Sequence, residues 1–271
     1  MLQPIHARPT LAEYLASIWS RKDFIAAASR NSLRAAHLHT ALGNGWYLLN
    51  PLLQISVYFL VFGVLLDVTR GIDNYLGYLS IGILVFTPFS QCSVAASRCI
   101  RDNINIIRSL TFPRATVPLI TVVSTMISSV APLVVMVISV VATGAPLSLR
   151  MLAVAPISLL FVLLIGGLTM YLARIGSYFP DLHGLLPHLL RVLFYGSAVI
   201  YDPSSFTSSR WTMLLFELNP LYAIIELYRW SLLQRPVDLT IWISASCWAI
   251  TLSVTGFLFF WHAENSYGAN S

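Results

Sequence analysis

The 271 residues are 57% hydrophobic and only 10% charged, with a mean hydropathy of +0.75. A water-soluble surface carries roughly a quarter charged residues, so this composition excludes an ordinary soluble domain and indicates a membrane protein. The net charge of +5 and pI near 9.3 come from arginines set in short clusters beside apolar runs, which is the pattern of membrane topology and excludes nucleic acid as the partner.

Residues 1–45 contain no secretory-type apolar core, and no small-residue cleavage pattern follows the first apolar run, so no cleaved signal peptide is expected. Thr10 with Glu13 supplies a capping box and Ser20 to Asp23 a second, predicting two helices that start there. Leu11, Leu15, Ile18 and Trp19 share one face, followed by Arg21 and Lys22, while Arg30, Arg34, His37 and His39 keep the rest polar. This 1–45 segment reads as a cytoplasmic amphipathic stretch lying on the membrane surface, or else as a soluble helix packed on a partner. Gly43-Asn44-Gly45 ends it and turns the chain into the bilayer.

Residues 46–66 carry no charge over 21 positions, which as helix is roughly 31 Å and long enough to span. Runs 75–96, 116–142, 151–173 and 239–261 are equally free of Asp, Glu, Lys and Arg. A shorter run, 185–201, carries Pro187, His188 and Arg191 near its start and reads as the fifth of six spans, its polar side chains snorkelling to the near surface. Residues 211–233 are long enough to span but hold Glu217, Pro220, Glu226 and Arg229. They read as two surface-dipping half-helices forming a re-entrant pair broken at Asn219-Pro220; the alternative is a seventh span kinked by proline. Cys92, Cys99 and Cys247 form no CxxC pair and read as buried small hydrophobes.

Four arginines and Lys22 precede the first span, and Arg98, Arg101, Arg108 and Arg114 fill the loop after the second, whereas the loops after the first and third hold only Arg70 and Arg150. The positive-inside rule therefore puts the N-terminus and the 97–115 loop in the cytoplasm, and six spans return the C-terminus to the same side. The fold class is an all-α membrane protein: a surface segment, then a membrane domain over 46–271.

The spans contain no carboxylate for proton or sodium coupling, and the chain has no GxSxG, HExxH or zinc cluster. Glu217 and Glu226 could form an acid/base pair, but they read as satisfying backbone ends or pairing with Arg229. A P-loop needs GxxxxGK[ST], and the only lysine, Lys22, lies between Arg21 and Asp23, so this chain has no ATPase site and any ATP energy enters through another chain. The segment NIIRSLTFPRATVPL, residues 105–119, is the natural docking element.

Four stretches resemble the ABC-2 type permeases that export polysaccharide, lipopolysaccharide O-antigen and teichoic acid. Leu42 to Trp46 with Asn50-Pro51 is similar to the start of that family's first span. Asn103 to Leu119, with Phe112-Pro113-Arg114 and Pro118-Leu119, is similar to its cytoplasmic loop. Ser197 to Tyr201 resembles its SPVIY motif with Ala198 in place of proline, and Leu218-Asn219-Pro220-Leu221 with Glu226 and Tyr228-Arg229 resembles the stretch that follows. The chain departs from the family over Arg30 to His39, where alanines and histidines replace an Arg-Tyr-rich stretch. Within the family it is most like the mycobacterial exporters of a lipid-linked galactan precursor.

The resemblance implies a homodimer of six-span subunits in the plasma membrane, paired with two nucleotide-binding ATPase subunits and moving a lipid-linked glycan outward. ATP and Mg would sit on the partner ATPase, with no cofactor or metal in this chain; permeases for small lipids or drugs, or a polyprenyl-lipid-modifying enzyme, are the alternatives. In the loop, Asn103 to Thr111 is expected to form one short helix whose Ile106, Ile107 and Leu110 face enters the ATPase, with Phe112 beyond it. Arg108 and Arg114 then pair with the ATPase or with anionic lipid. Glu217, Asn219, Pro220, Glu226 and Arg229 form the expected outer gate, with Glu226 and Arg229 paired at i, i+3. Tyr58, Phe59, Phe62, Phe86, Phe89 and Tyr195 are either a stacking surface for sugar rings or ordinary core and lipid-facing aromatics.

Overall fold

The computed structural model describes residues 10–37, 42–66, 72–109, 112–144, 146, 148–206, 209–264 and 267. Every regular element among them is helical. Helix α1 (Leu11–Trp19) opens on the expected capping box, with Thr10 N donating to Glu13 Oε2 at 3.0 Å and Glu13 N to Thr10 Oγ1 at 3.4 Å. The second expected box does not form. The chain stays in the right-handed region at Ser20, whereas an N-cap needs extended backbone, and the Ser20 hydroxyl instead donates to the Ser17 carbonyl at 2.8 Å. Helix α2 (Lys22–His37) follows directly and lies against the third long helix, where the Ser29 hydroxyl meets the Ile120 carbonyl at 3.3 Å. Leu11, Leu15 and Trp19 stay exposed while Tyr14 is buried and Ile18 packs against its cluster; His39 lies outside the described residues.

Among the described residues five helices are long and apolar enough to cross a membrane. They are α3 (Trp46–Tyr58) with its continuation in π-helical geometry over Phe59–Leu65, α4 (Tyr75–Ala96), α7 (Thr116–Ala142), α8 (Val154–Tyr178) with the 3-10 turn Leu149–Ala153 before it, and α12 (Leu239–His262). Short helices α5 (Cys99–Asp102) and α6 (Ile104–Ser109) lie between α4 and α7. Helix α4 is the hub: 72% of its apolar window is buried, against 11% for Leu48–Leu65. The outer faces of α7 and α12 expose Val130, Val134, Ile138, Ile243, Ile250 and Val254, an apolar surface suited to lipid.

The expected fifth span is helical only over α9 (Leu182–Gly196), whose 15 residues give about 22 Å, short of the roughly 30 Å of hydrocarbon. Even so, it runs the height of α4 in the opposite direction: the Ser97 hydroxyl and His183 Nδ1 lie 3.4 Å apart at one end, and the Tyr75 hydroxyl donates to the Ile200 carbonyl at 3.0 Å at the other.

The chain then forms α10 (Arg210–Glu217) and α11 (Pro220–Leu233), broken where the sequence predicts. The two halves are unlike. No residue of α10 is buried, whereas most of α11 lies in the core, so α11 does not fit the expectation of two surface-dipping halves. Asp202, just before this pair, makes an ion pair with Arg235, just after it, and so draws the two ends together. Burial disfavours the Asp202 carboxylate, yet hydrogen bonds from Arg235 and Ser204 outweigh it and hold its pKa below the ordinary value.

Candidate functional site

Beyond α9 the backbone leaves the helix, so the carbonyls of residues 198–201 need other donors. Each finds a side chain. Both Nη atoms of Arg229 donate to the Ala198 carbonyl at 3.2 Å, and Nη2 also donates to Val199 at 2.9 Å. The Tyr75 hydroxyl takes Ile200 at 3.0 Å and the Tyr78 hydroxyl takes Tyr201 at 2.7 Å. Arg229 is 0% exposed; its Nη1 also meets Glu226 Oε1 at 2.7 Å, the expected i, i+3 pair, and its guanidinium lies 3.3 Å from the Tyr78 ring centroid. Gly82 on α4 makes room, since a Cβ there would run into the Val199 carbonyl.

Ala198 sits at φ 49, in the left-handed region. A proline, usual at this place in the motif the stretch resembles, has φ near about −65° and could neither adopt this turn nor make the Ala198 N–H bond to the Tyr195 carbonyl at 3.1 Å. A198P is expected to abolish recovery of folded protein, whereas A198G removes the Cβ strain and stabilises by about 1 kcal/mol. Thermal unfolding of the two variants in one detergent checks both directions.

At the break, Asn219 is the residue that leaves helical geometry, and Pro220 begins α11. The Asn219 side chain accepts from the Leu221 and Tyr222 amides at 3.0 and 3.4 Å and donates to the Gly196 carbonyl and Ser197 hydroxyl at 3.1 and 3.0 Å. The carbonyls ending α10 are taken by α12: Ser244 donates to Glu217 O at 2.7 Å and the Trp248 indole to Leu218 O at 2.9 Å. Protein side chains thus satisfy the polar groups of the interruption. Glu217 enters this arrangement through its carbonyl, and Glu226 is the carboxylate on Arg229.

At the other end of the molecule, the short helix expected to begin at Asn103 is α6 (Ile104–Ser109), set off from the preceding turn α5 by Asn103, whose side chain donates to the Cys99 carbonyl at 2.8 Å. Burial corrects the docking face. Ile107 is 5% exposed and packs with Tyr14, Cys99, Ile100, Ala115 and Val117, while Ile106 and Arg108 face outward. Leu110 lies outside the described residues. Phe112 leans on the same inner cluster. Arg114 is tied inward as well: its amide donates to Glu264 Oε1 at 2.8 Å and its guanidinium to the Glu264 carbonyl. The Tyr14 hydroxyl donates to Glu264 Oε2 at 2.5 Å and accepts from the Ala115 amide at 3.1 Å. Burial pushes the Glu264 carboxyl above its ordinary pKa, with the Arg114 amide and the Tyr14 hydroxyl working against it.

Five of the six expected aromatics meet through a residue the sequence reading missed, Phe194. Its ring lies 5.4 Å from Tyr58, 5.0 Å from Phe86 and 5.3 Å from Tyr195, while Tyr58 stacks on Phe62 at 6.0 Å and Phe86 meets Phe89 at 6.2 Å. Phe59 turns away to Tyr75 at 6.3 Å. Phe86 and Phe89 are 8% and 5% exposed, so they serve as core and present no face to a sugar; Tyr195 is open. Phe62 also lines a cavity of about 450 Å³ with Ile200, Tyr201, Pro203, Phe206, Thr212 and Phe216.

Residues 28–233, most of the chain, match the family described as ABC-2 type transporter. The chain belongs to the ABC-2 type transporter family. With its five long apolar helices, this ABC-2 chain is a multi-pass membrane protein. It is 24% identical over 200 residues to the O-antigen export system permease protein RfbA of Myxococcus xanthus, covering 74% of this chain and 76% of that one. It is 23% identical to the RfbA permease of Klebsiella pneumoniae over 76% of this chain and 79% of that one. To the polysialic acid transport protein KpsM of Escherichia coli it is 23% identical, over 69% and 72% respectively. The ABC-2 match takes in the 97–115 loop, the Arg229 cradle and the break, while Tyr14 and Glu264 lie on either side of it.

Proposed function

We propose that this ABC-2 chain is the permease subunit of an exporter that carries a lipid-linked polysaccharide from the cytoplasm to the outer side of the plasma membrane, driven by a separate ATPase that binds ATP and Mg. The likeness to polysaccharide-export permeases over about three quarters of the chain carries the reading. The working unit is a homodimer with two ATPase subunits, and a cell-wall galactan precursor is the narrower substrate proposal.

Three features support the topology. Helix α9 plus the extended residues 197–201 cover the height of α4, so a sixth crossing can be completed by non-helical backbone that protein donors satisfy. The Asp202–Arg235 ion pair joins the ends of the α10–α11 pair, which favours entry and exit on one side. The exposed Leu11, Leu15 and Trp19 suit a helix lying in the interface, with both termini cytoplasmic. The outward residues Ile106 and Arg108 of α6 are then the contact with the ATPase, and the aromatic cavity beside Phe62 and Tyr201 lies near the outer path.

Purification in mild detergent should bring an ATPase subunit with this chain, and vesicles holding the pair should move a polyprenyl-linked glycan only when ATP is supplied. I106D should lower export per ATP at least about tenfold, or release the ATPase, with the permease itself still folded. Movement of the glycan without ATP, or an I106D variant that exports normally, would refute this assignment.

A further inference from the structure

We infer that the last span, α12, is the rod that carries motion of the inner loop to the outer break, with Glu264 and Tyr14 as the positioning residues that fasten the loop to it. The inference rests on the reading of this chain as an ATP-driven permease.

At its inner end the attachment has three points. Glu264 stands two residues beyond α12, and its Oε1, Oε2 and backbone carbonyl are held by the Arg114 amide, the Tyr14 hydroxyl and the Arg114 guanidinium. A loop displaced by an ATPase therefore pulls on α12 directly, as well as on α4 and α7, its neighbours in sequence. At the outer end Ser244 and Trp248 grip the last two carbonyls of the α10 turn. From residue 244 to 264 the path is about 30 Å of nearly continuous helix.

What distinguishes α12 from the loop's own neighbours is stiffness. Helices α3, α4, α7 and α9 each contain an internal proline, the usual seat of a kink, and α12 contains none. It is also locked to α8. A Cβ at Gly256 would strike the Gly167 carbonyl and one at Gly167 the Leu252 backbone, so the two helices touch main chain to main chain. The Ser253 hydroxyl donates to Leu163 O at 2.7 Å, and Arg174 donates to the Phe259 carbonyl with its guanidinium 3.8 Å from that ring's centroid. A proline-free helix locked in this way and fastened at both ends passes a displacement on, while a helix with an internal proline has a place to bend and absorb part of it.

The test uses the full complex with its ATPase in lipid, Cys247→Ser, and a spin label at Ser109 or at Trp211, both exposed. Distances between the two protomers are measured before and after trapping ATP with vanadate. Both labels should shift in the otherwise unsubstituted protein. E264A should keep the Ser109 shift and lose the Trp211 shift at least about tenfold in the fraction of molecules that move. E264Q, which still accepts from the Arg114 amide, should restore it. S244A/W248F cuts the rod at its other end with the inner cluster whole, and should give the same loss as E264A. The inference is overturned if both labels of these variants shift as before. It is equally overturned if neither shifts in E264A, which would confine Glu264 to seating the loop. An unsubstituted complex in which ATP moves neither label would instead refute the permease reading.

Discussion

R229A is expected to destabilise the protein by about 3–5 kcal/mol, the loss typical of stranding one member of a buried ion pair. Two effects add. Glu226, 7% exposed, is left without its cation, and the Ala198 and Val199 carbonyls lose their donors in a region where water is scarce. R229K keeps the charge but cannot bridge two carbonyls and a carboxylate with a planar fork, so it should recover only part of the loss. Replacing both partners, as in E226L/R229M, should cost less than R229A alone because no buried charge remains. Thermal unfolding in one detergent ranks these variants, and E226L and R229M alone, set beside the unsubstituted protein and E226L/R229M, complete the double-mutant cycle that measures the pair. An R229A protein as stable as the unsubstituted one would show that the cradle holds nothing.

N219A/P220A should abolish glycan export while leaving complex assembly and ATP hydrolysis in place. Asn219 is the one residue between α10 and α11 with extended backbone, at φ −75 and ψ 117, whereas Leu218 before it is already helical. Two alanines restore both the helix propensity and the missing N–H, so the halves can run together as about 36 Å of continuous helix. That helix swings α10 off Ser244 and Trp248 and empties the contacts of Asn219 with Gly196 and Ser197. Export and ATP hydrolysis measured on the same vesicles separate the outcomes. Normal export would make the interruption a scaffold, and loss of ATP hydrolysis together with export would place the damage in assembly.

Much of the architecture was legible because lipid demands long uninterrupted apolar runs: α3, α4, α7, α8 and α12 each stand where a charge-free stretch stands in the sequence. Local chemistry was legible too. The Thr10–Glu13 box, the break at Asn219-Pro220 and the Glu226–Arg229 pair all depend on residues within four positions of one another. What escaped depends on distant partners. Nothing near Tyr14 announces Glu264, 250 residues on, and nothing near Arg229 announces the carbonyls of Ala198 and Val199 or the ring of Tyr78.

Ile107 was misjudged for a related reason. The helix starts where the sequence predicts, but which of its faces turns inward is set by Tyr14, Met170 and Phe260, partners distant in sequence. Phe194 carried a readable signal, since Leu186, Leu190 and Phe194 recur every four residues and all are buried, while Tyr195 beside it is exposed. The difference in burial between α10 and α11 had only a small signal in composition, two charged residues in the 8 of α10 against two in the 14 of α11.

The Arg229 cradle also bears on how the protein is made. Every group that Arg229 engages, from Tyr78 through Ala198 and Val199 to Glu226, belongs to a residue that leaves the ribosome before it does. The chain therefore builds the receptacle first and delivers the cation last, and an arginine costly to place alone in hydrocarbon arrives where its acceptors already stand. Moving α11 ahead of α9 in a rearranged gene would preserve every contact of the finished structure while removing that order of arrival.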